Sequence, residues 1–178
     1  MQMNYIFDLD NTLIYSDAAN NLAYKDAVKT VINKDLDTAC GRITRSYISE
    51  RYPNITANQL SKIIKEKGKS YAKYFELTLL NVALLNILKH LSATNNRTIL
   101  MTYSGRERAC QLLDFYGIDK YFSEKYYKED FGNKSKYKFA TDILSIDSRK
   151  IVLFENETEG CREAINDGFA AHNIIKIV

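Results

Sequence analysis

Apolar residues fall into two rhythms along this chain. Short runs rich in branched and aromatic residues, Met3 to Phe7, Thr98 to Thr102, Ile151 to Phe154 and Asn173 to Val178, predict buried strands. Between the later runs the spacing turns helical. Ala109, Leu112, Leu113 and Tyr116 share one face of a helix predicted over Arg106 to Tyr116, and a second helix is predicted over Thr158 to Asp167. Ser104 and Glu107 form an S-x-x-E capping box ahead of the first, while Gly117 and Gly168 stand where a left-handed residue ends each helix. From Ser16 to Leu91 the pattern is helical throughout, with Ala23, Ala27, Val28, Val31 and Ile32 on one face. A T-x-x-Q box at Thr56 and Gln59 precedes Leu60, Ile63 and Ile64, and no strand is evident in that stretch.

Strands alternating with helices predict an α/β fold: a three-layer, Rossmann-like core with a parallel sheet and helices on both faces. The long helical stretch interrupts this order after the first strand. Residues 1–15 and 81–178 are therefore assigned to the core, and residues 16–80 to a small inserted all-helical cap. In open parallel sheets ligands bind beyond the carboxyl ends of the strands, which is where Asp8, Thr102 and Glu155 fall.

Composition narrows the function classes. With 178 residues, 46% of them hydrophobic, one Pro and seven Gly, this is a folding composition and not that of a disordered chain. A net charge of +3, from 25 basic and 22 acidic residues, argues for neither a nucleic-acid nor a membrane partner, and leaves the oligomeric state open. Cys40, Cys110 and Cys161 are odd in number and lack C-x-x-C spacing, so neither a disulfide framework nor a zinc site is expected. Cys110 and Cys161 read as small core residues, and His90 and His172, with no partner at ligand spacing, as ordinary ones. The first residues lack a basic, then apolar, leader pattern, and a cytoplasmic location is expected, so the sequons at Asn54 and Asn156 are read as chance matches. Leu77 to Leu91 is interrupted by Asn81, Asn86 and Lys89 and falls short of the ~20 apolar residues of a bilayer span, so a buried helix is predicted.

The first strand ends in Asp8-Leu9-Asp10-Asn11-Thr12, which clusters carboxylates at its carboxyl end. Tyr5 to Leu13 resembles the first motif of the haloacid dehalogenase superfamily, a hydrophobic strand followed by D-x-D-x-T. Thr98 to Thr102 is similar to the second motif, Lys134 before a helix containing Phe139 and Leu144 to the third, and Ile151 to Cys161 to the fourth, in the form found in β-phosphoglucomutase-like members. The four occur in the family's order and span nearly the whole chain.

The resemblance implies a Mg²⁺-dependent phosphatase acting on a small phosphorylated metabolite. Asp8 would be the nucleophile and Asp10 the general acid and base; Thr102 and Lys134 would grip the phosphoryl group; Asp8, the Asp10 carbonyl, Glu155 and Asn156 would hold the metal. The chemistry asks for such a set, because an anionic phosphomonoester repels nucleophiles unless a divalent cation and cationic or hydroxyl donors offset its charge. Asn156 replaces the aspartate usual in the fourth motif and brings an oxygen without charge. Lys136 competes with Lys134 for the third-motif role, Lys134 being preferred for its distance to Phe139. Arg42 and Arg45 are the best cap candidates for substrate contact, and Tyr103, next to Thr102, is expected at the mouth of the site. The alternatives are a phosphomutase, and a binding or regulatory protein that has kept the fold without turnover.

Overall fold

The computed structural model describes residues 3–38, 41–142 and 145–178. Cys40 and Leu144 lie outside the described residues. The elements run β1 (Asn4–Phe7), β2 (Ile14–Tyr15), α1 (Asp17–Ile32), α2 (Arg45–Arg51), α3 (Ala57–Ser70), β3 (Leu79–Leu80) and α4 (Val82–Ser92). They continue β4 (Arg97–Met101), α5 (Arg106–Phe115), β5 (Glu124–Tyr126), α6 (Lys136–Asp142), β6 (Ile151–Glu155), α7 (Thr158–Asn166) and β7 (Ile174–Lys176).

The chain forms two compact units, one of Met1–Tyr15 with Leu80–Val178 and one of Ser16–Leu79. Leu80 thus falls with the core, one residue from the boundary drawn on sequence.

In the first unit five strands make a sheet in the order β5-β4-β1-β6-β7, and every pairing is parallel. β1 is central, in register with β4 on one side (Phe7 opposite Leu100) and β6 on the other (Phe7 opposite Phe154). Alternation along these strands explains the layers. Ile6, Ile99, Met101, Ile151 and Leu153 point to one face, where Tyr137, Phe139 and Ala140 of α6 and Ala164 of α7 close over them. Phe7 points to the other, stacked on Phe154 at 4.7 Å and meeting the Phe122 ring edge-on. α4 packs against β4. Its buried side is Leu84, Leu85, Leu88 and Leu91, but Val82 and Ile87 are exposed, so the helix predicted as buried is buried along one face only.

Further differences have local causes. β5 was not predicted because its three residues, Glu-Lys-Tyr, carry no apolar run; it is an edge strand held partly by Glu124, which accepts from both the Nε and Nη2 of Arg97. β2 and β3, two residues each, form a separate ribbon within the stretch read as wholly helical or loop. The last strand is shorter than predicted, ending at Lys176.

In the second unit α1 lies against α3 around Tyr24, Ala27, Val28, Ile48 and Ile63. The capping box at Thr56 and Gln59 is formed: the Gln59 N–H donates to the Thr56 hydroxyl at 3.2 Å, and the Thr56 N–H to Oε1 of Gln59 at 3.0 Å. No helix among the described residues is long and apolar enough to cross a membrane.

Candidate active site

Three neighbouring strands deliver their last side chains to one edge of the sheet. Asp8 follows β1 directly and its N–H donates to the Phe154 carbonyl at 3.1 Å; Thr102 follows β4; Glu155 ends β6. Because β1 runs out to β4 on one side while β6 lies on the other, this edge is the point where the strand order reverses, a position open α/β sheets use for ligands. The chain then turns tightly, with the Leu13 and Ile14 N–H groups both donating to the Leu9 carbonyl. Asn11 sits in the left-handed region at φ 57°, which asparagine tolerates better than most residues. Asn81 pins this loop to the start of α4, its N–H on the Leu13 carbonyl at 2.9 Å and its side-chain amide on the Thr12 carbonyl at 3.2 Å.

Lys136 joins two of the carboxylates. Its Nζ lies 2.7 Å from Asp8 Oδ1 and 2.8 Å from Glu155 Oε2, and all three side chains are buried. Ser135 sets the lysine's direction: its hydroxyl accepts from the Lys138 N–H at 2.8 Å, which starts α6 at Lys136. Tyr137, next along that helix and fully buried, donates its hydroxyl to the same Glu155 oxygen at 2.6 Å, while the other oxygen accepts from the Asn156 and Glu157 N–H groups.

The electrostatics follow from two buried carboxylates facing one ammonium. Burial opposes the charge on Lys136, but Asp8 and Glu155 more than offset it and hold the ammonium protonated above its ordinary range. Burial likewise opposes ionisation of Glu155, but Lys136, Tyr137 and the Glu157 N–H keep it below the usual carboxylate range. Asp8 carries the imbalance: burial, with the charges of Glu155 and Asp10 added and Lys136 opposing, pushes it up to about 7. Thr12 ties it to the fourth motif, its hydroxyl lying 3.1 Å from Asp8 Oδ2 and 3.0 Å from Asn156 Oδ1.

Asp10 faces elsewhere. Its two oxygens take a bidentate guanidinium, Arg108 Nη1 on Oδ1 at 2.9 Å and Nη2 on Oδ2, and Oδ2 also accepts from the Ser104 hydroxyl. The Ser104 N–H in turn donates to Oγ1 of buried Thr102 at 3.0 Å. Asp10 and Thr102, expected at one site, are thus connected through Ser104.

A model of the haloacid dehalogenase-like hydrolases matches residues 5–173, nearly the whole chain. The protein belongs to this family. Solved structures agree in fold: CbbY of Rhodobacter sphaeroides, in complex with phosphate, superposes with a TM-score of 0.78 at 15% identity, covering 95% of this chain and 84% of that one. A predicted phosphoglycolate phosphatase of Haemophilus somnus gives 0.79 at 16%, covering 98% and 84%, and an inferred β-phosphoglucomutase of Thermotoga maritima 0.72 at 18%, covering 100% and 86%. No curated protein sequence matches the chain.

For this haloacid dehalogenase-like hydrolase the geometry corrects two expectations. Lys134 does not reach the carboxylates: it is exposed and pairs with Asp142 at 3.0 Å, because Gly132 in the left-handed region (φ 59°) turns the chain and the Lys134 N–H closes that turn on the Phe131 carbonyl. Lys136 takes the buried place. Ser104 is not a helix cap; Gly105 is the N-cap residue of α5, and the Arg106 N–H is taken by Glu129 Oε2 at 3.1 Å. That frees the Ser104 hydroxyl for Asp10.

Tyr103 stands where expected, beside the site: its hydroxyl accepts from the Lys136 N–H at 3.2 Å and donates to Glu163 at 2.9 Å. Burial, aided by Glu163, pushes that phenol up to about 12. Arg42 and Arg45 lie in the helical unit, Arg42 paired with Asp17 at 2.6 Å and Arg45 exposed in the first turn of α2. Cys110 and Cys161 are half-buried, not core, and His90 and His172 are exposed.

Sequence reading missed Tyr137, Gly160 and Arg108. Tyr137 has no local signal, since its hydroxyl's partner, Glu155, lies on another element. Arg108 stands in the first turn of α5, and no local pattern reports its partner Asp10, 98 positions earlier.

A divalent cation suits this donor set. Among the described residues no three His, Cys, Asp or Glu side chains converge as a metal cluster. Mg²⁺ does not require one: it is commonly held by one or two carboxylates and keeps several waters. The surplus buried negative charge of Asp8 and Glu155 over Lys136 is the feature that fits it.

Proposed function

We propose that this hydrolase is a Mg²⁺-dependent phosphatase that cleaves small phosphomonoesters through an aspartyl phosphate on Asp8. The observation that carries the reading is the trio at the centre of the sheet edge, Asp8 bridged by Lys136 to Glu155. Asp8 attacks phosphorus while the ester oxygen leaves. Asp10, two residues on and on the other arm of the turn, gives that oxygen its proton and later takes one from the water that hydrolyses the acyl phosphate. Lys136, already oriented at Asp8, and the Thr102 hydroxyl hold the phosphoryl oxygens. Asp8, the Asp10 carbonyl, Glu155 and the Asn156 carbonyl oxygen are the groups that would bind Mg²⁺. When bound, the ion supplies charge neutralisation between the carboxylate nucleophile and the phosphoryl group.

A second reading, phosphate binding without turnover, has its own observation in the engagement of both Asp10 oxygens by Arg108 and Ser104. Hydrolysis of p-nitrophenyl phosphate with Mg²⁺ or with EDTA decides between them. Mg²⁺-dependent turnover that disappears in Asp8→Asn supports the phosphatase. Turnover that survives Asp8→Asn refutes the assigned nucleophile, and none in the native protein favours the binder.

A further inference from the structure

The guanidinium of Arg108 belongs to no step above, yet it is aimed into the catalytic loop. It projects from the first turn of α5, with its side chain only 12% exposed and that of its partner Asp10 only 14%. Its neighbour Arg106 is spent elsewhere, paired with Asp130 at 2.6 Å and resting 4.4 Å above the Tyr127 ring. Arg108 instead offers two parallel N–H donors to a carboxylate, the fork geometry with which guanidinium recognises carboxylates and phosphates.

That the seat accepts an oxyanion is shown by its present occupant, Asp10. The same residue has to carry a proton to the leaving oxygen, for which the fork and Ser104 compete. Turning a carboxylate oxygen to that task loosens the fork, and a largely buried guanidinium left without an anion is costly. An anion on the substrate removes that difficulty by exchange.

We infer that Arg108 is a specificity residue on the leaving-group side, selecting phosphomonoesters whose alcohol portion carries a second oxyanion, a carboxylate or a further phosphate, which takes the guanidinium over from Asp10. The inference rests on the phosphatase reading for the side of the phosphoryl group that Arg108 faces. It gives Ser104 a part as well: its hydroxyl keeps a hold on Asp10 while the guanidinium changes partners.

Binding of phosphonates that cannot be hydrolysed tests this without relying on turnover. Titration calorimetry of the full chain with Mg²⁺ would compare 3-phosphonopropionate, propane-1,3-bisphosphonate and 3-hydroxypropylphosphonate, whose far end is an uncharged hydroxyl. At least one of the two compounds with a second anionic group is expected to bind about tenfold or more tighter than the hydroxyl compound, the size of one charge-assisted contact. Which one does so tells carboxylate from second phosphate. Arg108→Gln should bring the ratio to within about threefold of unity, and Arg108→Lys should restore part of it. Equal binding by the native protein, or a ratio unchanged in Arg108→Gln, overturns the assignment. If Arg108→Gln does not fold, the native ratio and the Arg108→Lys variant still decide. Hydrolysis of 2-phosphoglycolate and 2-hydroxyethyl phosphate is followed in parallel. Turnover of both with no binding preference refutes the role of Arg108 and leaves the phosphatase standing; a binding preference without turnover does the reverse.

Discussion

Tyr137 and Gly160 are fitted to each other across the site: a Cβ built on Gly160 would stand 2.9 Å from the Tyr137 hydroxyl and 2.9 Å from the Glu155 carboxyl carbon. Neither neighbour can swing aside, since Glu155 is gripped by Lys136, Tyr137 and two backbone N–H groups. An alanine in a helix is ordinarily worth up to about 1 kcal/mol over glycine. Here the sign reverses, and Gly160→Ala should destabilise the protein by about 1–3 kcal/mol through overpacking and lower its activity. Urea unfolding checks it, and a stabilised variant would show that α7 can move away.

The two lysines of the third motif should separate cleanly. Lys136→Met leaves Asp8 and Glu155 buried without their ammonium, so it should abolish turnover and cost about 3–5 kcal/mol near pH 8. Lys134→Ala removes only an exposed pair with Asp142, worth at most about 1 kcal/mol, and should leave kcat/KM within about twofold. Loss of activity in Lys134→Ala would return the third motif to that residue.

Asp8 predicts a pH dependence in the metal-free protein. Its folded pKa, about 7, lies above the ordinary 3.8, so the protonated form favours the fold. That contribution is complete below the unfolded value and is lost as pH rises through about 7. In EDTA, the melting temperature of the native protein should therefore fall more between pH 5 and pH 8 than that of Asp8→Asn, which has no such proton to lose. Scanning calorimetry of both at the two pH values is sufficient; parallel slopes would mean that Asp8 is not the group bearing the charge imbalance.

Asn156 accepts the Thr12 hydroxyl that also reaches Asp8, which places its oxygen next to the nucleophile. A charged oxygen there should strengthen binding of a hard cation. Asn156→Asp is expected to lower the Mg²⁺ concentration for half-maximal activity several-fold, with a smaller change in rate at saturation. An activity titration against Mg²⁺ checks it, and an unchanged midpoint would remove Asn156 from the metal's surroundings.

The parts of this molecule that the sequence made legible are those whose information is local. β1, β4 and β6 are apolar runs because parallel strands are covered on both faces, and Asp8 and Glu155 are recognisable as the first polar groups after them. β5 was invisible because it is an edge strand with no apolar run, held by its ladder to β4 and by the Arg97–Glu124 pair. Lys134 and Lys136 are equivalent in composition; what distinguishes them is a glycine turn and the Ser135 hydroxyl, which fix where α6 begins and so which lysine points inward. Ser104 fitted a capping pattern that its own neighbour Gly105 displaced. Arg108 and Tyr137 act on groups far along the chain, and no spacing rule reports a partner at that distance.

The central position of β1 bears on how the protein is made. Its four residues pair only with residues 97–100 and 151–154. At ribosomal rates of about 5–20 residues per second, the strand carrying the nucleophile waits on the order of ten seconds for its second neighbour to emerge. Until then β1 can pair with β4 on one side alone, and its other edge stays open. Shielding of that edge falls to whatever meets the growing polypeptide, and Asp8 waits for Glu155, the last member of the carboxylate edge to be made.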